Sequence, residues 1–174
     1  MNSSSDIAHA NSGATVSFRH AKREDAALIH QMVADLSAYL GETRKHTASV
    51  ADYEAHGFGD KPRFEAIIAE VAGEAAGMCL FFDSFSTWAG QPGLYVQDLY
   101  VSPKARGLKL GRLLLERVAR YGMEKGYGYV RLSVDANNVN AQGFYEACGL
   151  TWSDAERLYV ARGDAFIALA GSGA

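Results

Sequence analysis

Apolar and polar positions divide this chain into short periodic blocks. Val16 to Arg19 alternates like a half-buried strand. After Asp25, apolar residues recur at Leu28, Met32, Val33, Leu36, Tyr39 and Leu40, the spacing of one helix face. Asp25 is the expected cap of that helix and Gly41 its stop. A polar loop, GETRKHTAS, leads to VADYEAHGFG, a shorter helix ended by Gly57 and Gly59. Pro62 keeps the chain extended after it. RFEAIIAEV and AAGMCLFF flank Ala72, Gly73 and Glu74, which predicts a hairpin. GLYVQDLYV is a further strand, ended by Pro103. Leu110, Leu113, Leu114, Val118 and Tyr121 stripe the next helix, which Gly126 closes. On another line of that helix, Arg112, Glu116, Arg120 and Glu124 form a solvated charged row. YVRLSV reads as a strand, NAQGFYEA as a short helix and RLYVAR as a last strand. The order predicts a mixed α/β (α+β) domain with its longest helix behind a central strand.

Composition changes this picture little. A chain of 174 residues, 48% hydrophobic and 21% charged, is long enough for one domain with a real core. The expected organisation is a disordered tail over residues 1–14, rich in Ser, Asn and Ala, and a single domain over 15–174. A net charge of −3 argues against nucleic acid or an anionic membrane as the main partner. No segment is apolar enough to span a bilayer, and the first residues lack the pattern of an export signal, so a cytoplasmic location is expected. Two cysteines, Cys79 and Cys148, stand far apart, and the five histidines form no ligand spacing. No metal is expected.

Charge does matter locally. VSPKARGLKLGRLLLERV (101–118) places Arg106, Gly107, Lys109, Gly111 and Arg112 at the mouth of a helix. The first N–H groups of a helix lack internal partners, and its dipole favours negative charge there. Glycines allow close backbone approach, and the cations add charge-assisted contacts. The loop therefore suits an anion such as a pyrophosphate. Taken alone, it is equally a tight turn with solvated cations. Neither G-x-x-x-x-G-K-[ST] nor G-x-G-x-x-G is present.

DLYVSPKARGLKLGRLLLERV followed by NNVNAQGFYEACGL resembles the GNAT superfamily of N-acetyltransferases, as does the opening FRHAKREDAALIHQM. The likeness covers roughly residues 16–170. DYEAHGFG, FSTWAGQPGLYVQDLYV and FYEACGL are similar to its diamine, polyamine and thialysine branch. The resemblance implies a mixed, mostly antiparallel central sheet with flanking helices. It implies acetyl-CoA as cosubstrate, held by the backbone of Leu99, Tyr100 and Val101 and by the loop of Arg106, Gly107, Leu108, Lys109, Leu110, Gly111 and Arg112. Homodimerisation is a further expectation of the family.

The same resemblance assigns Tyr145 as the acid for the departing thiolate; by itself, Tyr145 reads first as a packing residue beside Phe144. Asn138 anchors either the coenzyme or the start of its helix. Where relatives carry Glu, this chain has Gln97, whose amide takes no proton at neutral pH. Gln97 then orients the amine or a water, and the proton leaves through water or Asp98; Asp98 is also readable as a structural carboxylate. Lys109 stands where the family usually has Gly, and pairing with phosphate is expected. Tyr39, Glu42 and Trp88 are the expected substrate lining. LGETRK replaces an acidic run of the polyamine branch, with Arg44 and Lys45 adding positive charge, so a small amine fits as well as a polycation. The predicted activity is acetyl transfer to a small primary amine. A non-catalytic acyl-CoA sensor and a protein N-acetyltransferase remain as alternatives.

Overall fold

The computed structural model describes residues 6–9 and 15–171. The chain forms two compact units, residues 1–133 and 134–174. The first holds a six-stranded sheet in the order β1 to β6: β1 (Asp6–His9), β2 (Thr15–His20), β3 (Glu65–Val71), β4 (Glu74–Ser86), β5 (Gln91–Val101) and β6 (Val130–Leu132). Neighbours are antiparallel except β5 and β6, which run parallel. The mixed, mostly antiparallel sheet is the one expected. The expected N-terminal tail differs in one part: Asp6–His9 pairs with β2, while the remainder of 1–14 lies outside the described residues.

Helices α1 (Ala26–Tyr39) and α2 (Val50–Phe58) cover one face, and α3 (Leu110–Glu124) the other. On the α1 face, Ile29 and Met32 pack with Ala66, Ile68, Met78, Leu80 and Tyr100. On the α3 face, Leu110, Leu114, Leu115 and Val118 are buried. Gly77 lets this helix seat on the sheet. A Cβ there would stand 2.6 Å from the Tyr100 carbonyl oxygen and 3.3 Å from Leu114. The charged row stays exposed, with Arg112 Nε donating to Glu116 at 2.8 Å.

Several local expectations are corrected. Asp25 stands at the N-cap of α1, but its side chain makes no cap hydrogen bond to that helix; it closes a capping box on the short 3-10 turn Arg23–Asp25 instead. Its carboxylate accepts from the Lys22 N–H (2.8 Å) and from both terminal nitrogens of Arg19 (2.7 and 2.9 Å). The Arg19 partnership holds its carboxyl below the usual range, against the opposing effect of burial. Gly57 does not end α2 but lies inside it, against the Phe64 ring. In the second unit, α4 (Val139–Ala147) forms as expected, but RLYVAR (157–162) is no strand, and a short helix α5 (Asp164–Leu169) follows it. A strand needs a partner, and that run has none among the described residues.

Candidate active site

One irregularity in β5 organises the first unit. Leu80 of β4 pairs with Asp98, but the next residue, Phe81, pairs with Val96. Gln97 is the extra residue of a β-bulge. The bulge redirects the strand. Before it, Leu94 lies against Gly122 of α3, and Val96 sits opposite Phe81, whose ring meets Tyr121 of α3. After it, Asp98 and Tyr100 sit opposite Leu80 and Met78, on the α1 face. Even-numbered side chains thus change sides at Gln97, which leaves Gln97 exposed and turns half-buried Asp98 toward α1 and α2.

Beyond the bulge β5 also loses a neighbour. β6 pairs with Leu94, Tyr95 and Val96 and with no later residue. From Gln97 to Val101 that edge of β5 has no strand beside it among the described residues. An open edge offers its amides to any extended chain that carries complementary groups. It runs directly into the Ser102–Arg112 loop.

That loop turns sharply into α3. Gly107 has φ +85° and Lys109 φ +59°, so two left-handed residues flank Leu108. Glycine adopts this conformation freely, whereas lysine pays about 1 kcal/mol for it. Left-handed residues within such a turn are a feature of backbone nests, which gather successive N–H groups toward one side. Those of Gly107, Lys109, Leu110 and Gly111 have no hydrogen-bond partner among the described residues. Donors of this kind fit an anion. Above the loop, the exposed Arg106 guanidinium lies 4.8 Å from the centre of the Tyr39 ring. The Tyr100 hydroxyl donates to Asp35 of α1 at 3.2 Å, tying the open edge to the same helix.

Asp98 has a distinct environment. Burial pushes its carboxyl up, while the charge of His46 pulls it partly back. It has no hydrogen-bond partner among the described residues. His46 comes from the loop between α1 and α2, with its Nε2 buried and unpartnered among the described residues. An unsatisfied buried group of this kind costs about 1–3 kcal/mol. Its ring lies 4.9 Å from that of His30, which stands edge-on to Tyr53 at 5.8 Å. The field of Asp98 also reaches Tyr53 and the buried Cys79 thiol, raising both after the larger effect of burial.

The first unit therefore gathers Gln97, Asp98, Leu99, Tyr100, Val101, the 106–112 loop and Tyr39. Glu42 lies on the α1–α2 loop, bridged to Lys45 at 2.8 Å. Trp88 stands apart and fully exposed at the tip of the β4–β5 hairpin. About 20 Å of strand separates Gln91 from Gln97. Asn138 and Tyr145 belong to the second unit. There the Asn138 Oδ1 accepts from the Ala141 N–H at 3.1 Å, the cap reading of that residue. Tyr145 is half-buried on α4, its ring 5.2 Å from Phe144. Sequence reasoning missed His46, His30 and Tyr53, because no spacing pattern joins residues brought together from three elements.

Residues 28–150 match the model of the acetyltransferase (GNAT) family. A thialysine N-epsilon-acetyltransferase of Bos taurus is 32% identical over 169 residues, covering 91% of this chain and 99% of the bovine protein. Among solved structures, an integron cassette protein of V. cholerae superposes with a TM-score of 0.76 at 21% identity, covering 90% of this chain and 98% of its own. An aminoglycoside N-acetyltransferase in complex with CoA superposes with a TM-score of 0.68 at 19% identity, covering 87% and 97%.

Proposed function

The chain belongs to the acetyltransferase (GNAT) family, and from that premise we propose that it transfers the acetyl group of acetyl-CoA to the primary amine of a small molecule within a ternary complex. The observation that carries this reading is the open β5 edge from Gln97 to Val101, continuous with the nest of free N–H groups before α3. Backbone groups of Leu99, Tyr100 and Val101 would hold the amide-bearing arm of the cosubstrate. The loop from Arg106 to Arg112 would hold its diphosphate, with Arg106, Lys109 and Arg112 supplying charge. When bound, the cosubstrate supplies an activated acetyl group as a thioester.

The residues then do three things. The bulge positions Gln97 to orient the acceptor amine by its amide. Asp98 takes the ammonium proton, a task suited to a carboxylate whose proton affinity is raised by burial. Tyr145, neutral at pH 7, donates its phenolic proton to the departing thiolate, as its place in the family motif suggests. Placement of both reactants supplies the rest of the rate, with no covalent enzyme intermediate.

Local charge favours a short amine. Glu42 is neutralised by Lys45, and Arg44 is exposed beside it, so a long polycation finds little attraction. The named activity of the bovine relative, on thialysine, is of the small-amine kind. We also infer a homodimer in the cytoplasm, the dimer supported by exposed Leu158, Tyr159 and Val160 in a run without a strand partner.

Thiol release from acetyl-CoA, screened against diamines, polyamines, amino acids and aminoglycosides, tests the activity. We expect turnover with a lysine-like amino acid or short diamine, lowered about 100-fold in kcat by Tyr145→Phe. CoA binding without thiol release for any amine would instead identify a sensor. Turnover with peptide amines alone would identify a protein acetyltransferase.

A further inference from the structure

We propose that the cavity at the start of β3 is a second binding site, which takes a free α-amino acid with an apolar side chain, its carboxylate on Arg63 and its ammonium on Asp83. The inference goes beyond acetyl transfer and does not depend on it. The cavity is about 490 Å³, within the range of small-molecule sites. Its lining shares no residue with Gln97–Val101, with the 106–112 loop or with the cluster of His46, His30 and Tyr53.

The cavity exists because two strands part. β3 and β4 pair as far as Glu65 and Phe81. The same register, continued, would set Phe64 opposite Phe82 and Arg63 opposite Asp83. Instead the Arg63 N–H donates to the His56 carbonyl of α2 at 2.6 Å, which holds the chain to that helix. Phe64 packs against the same helix at Gly57, where a Cβ would stand 2.4 Å from its ring. β4 runs on to Ser86, paired with β5 alone among the described residues. A gap opens where the sheet would otherwise close. Arg63 and Asp83, facing each other by register, both line it and make no ion pair with one another.

The remaining charges of the lining are already matched. Glu65 Oε2 accepts from the Tyr121 hydroxyl at 2.5 Å and its Oε1 from Lys125 Nζ at 3.1 Å. His20 Nδ1 stands 3.7 Å from Glu65, and burial holds this ring below the usual histidine range, so it adds no charge at pH 7. The Arg63 guanidinium, by contrast, has no hydrogen bond or ion pair among the described residues. Asp83 accepts at Oδ2 from the Tyr127 hydroxyl at 2.9 Å, which leaves Oδ1 available. A guanidinium takes a carboxylate through its planar fork, and a carboxylate takes an ammonium. A zwitterion satisfies both, whereas a diamine or a dicarboxylate sets one of its charges against its like. Much of the other lining is apolar, led by the rings of Phe58, Phe64 and Phe82. Phe58 and Phe64 meet edge-on at 6.3 Å, and Phe82 is stacked on Tyr95 at 5.0 Å. These rings suit an apolar side chain, an aromatic one above all.

The test is calorimetry on the full-length protein without acetyl-CoA, using three probes of one skeleton. L-phenylalanine carries both charges, phenethylamine lacks the carboxylate, and 3-phenylpropionate lacks the ammonium. Wild-type protein is expected to bind L-phenylalanine at least about ten-fold tighter than either truncated probe. Arg63→Gln should weaken L-phenylalanine and phenylpropionate about ten-fold and leave phenethylamine unchanged. Asp83→Asn should weaken L-phenylalanine and phenethylamine about ten-fold and leave phenylpropionate no weaker. Both side chains are exposed, and thermal melts check that the variants fold. No saturable binding of L-phenylalanine below about 10 mM overturns the site. So does a truncated probe that binds as tightly as the amino acid, or a pair of variants that weaken all three probes alike. The probe series on wild-type protein gives its answer even where a variant misfolds. Failure of acetyl transfer is read by thiol release and leaves these binding heats untouched, so the two failures are separable.

Discussion

Lys109 carries two opposed effects in one residue. Its left-handed φ of +59° strains the backbone, while its ammonium adds charge to the loop proposed to hold the diphosphate. Lys109→Gly should therefore raise stability by about 1 kcal/mol and weaken CoA binding roughly five-fold through loss of one cation. Thermal melts and calorimetry on the same variant read the two terms separately; tighter CoA binding would show that the side chain only crowds the site. Asp98 poses a similar conflict. Its carboxyl is raised by burial, so the proton-free base appears at higher pH than for an ordinary aspartate. A raised folded-state value contributes stability that is complete below the ordinary carboxylate range and is lost as pH rises through the raised value. Asp98→Asn should then lower kcat about 100-fold, remove the acidic limb of the rate profile, and melt higher than the parent at pH 7 with the gap closing toward pH 3. A lower melting point at pH 7 would mark Asp98 as structural. The loop residues were legible in the sequence because they are contiguous and follow a strand and precede a helix. The His46 and His30 ring contact was not, since nothing in a linear pattern reports that a loop histidine ends beside one on α1.

At the scale of elements, β5 decides what the sheet can do. GLYVQDLYV reads as one even strand because the extra residue interrupts neither its apolar content nor its length. The bulge becomes visible only as a register change against β4. Its consequence is chemical: it frees one edge from β6 and turns Asp98 toward α1 and α2. Deleting Gln97 tests this directly. Val96 would then be followed by Asp98, and simple alternation would keep Val96 on the α3 face and Asp98 and Tyr100 on the α1 face. The shortened protein should fold with a melting temperature within about 5 °C of the parent. It should lose at least about 100-fold in kcat, because the strand straightens where the proposed mechanism orients the acceptor. Retained turnover in a folded deletion protein would show that the bulge is a structural accident. The paired helices were easier to read. α1 and α3 appear where apolar residues recur at helical spacing, since that periodicity directly reports which face is covered.

For the molecule as a whole, the sequence suggests a final strand that the folded chain does not make. Residues 157–162, RLYVAR, have the composition of a strand. Yet Leu158 and Tyr159 are 79% and 87% exposed, and no strand pairs with them among the described residues. Residue types express only a preference, and a preference becomes a strand only where a partner supplies hydrogen bonds. A second copy of the chain is the partner that symmetry makes available twice over, since each copy offers the same run to the other. Light scattering should accordingly give twice the mass of one chain. A charge placed in the apolar run, Leu158→Asp, should raise the dimer dissociation constant at least about ten-fold, while the melting of isolated monomers changes little because that side chain is exposed already. A wild-type protein that stays monomeric at micromolar concentration would overturn the dimer. In that event the exposed run would lack an occupant from this chain, but acetyl transfer by the first unit's open edge and anion nest would still stand or fall on thiol release alone.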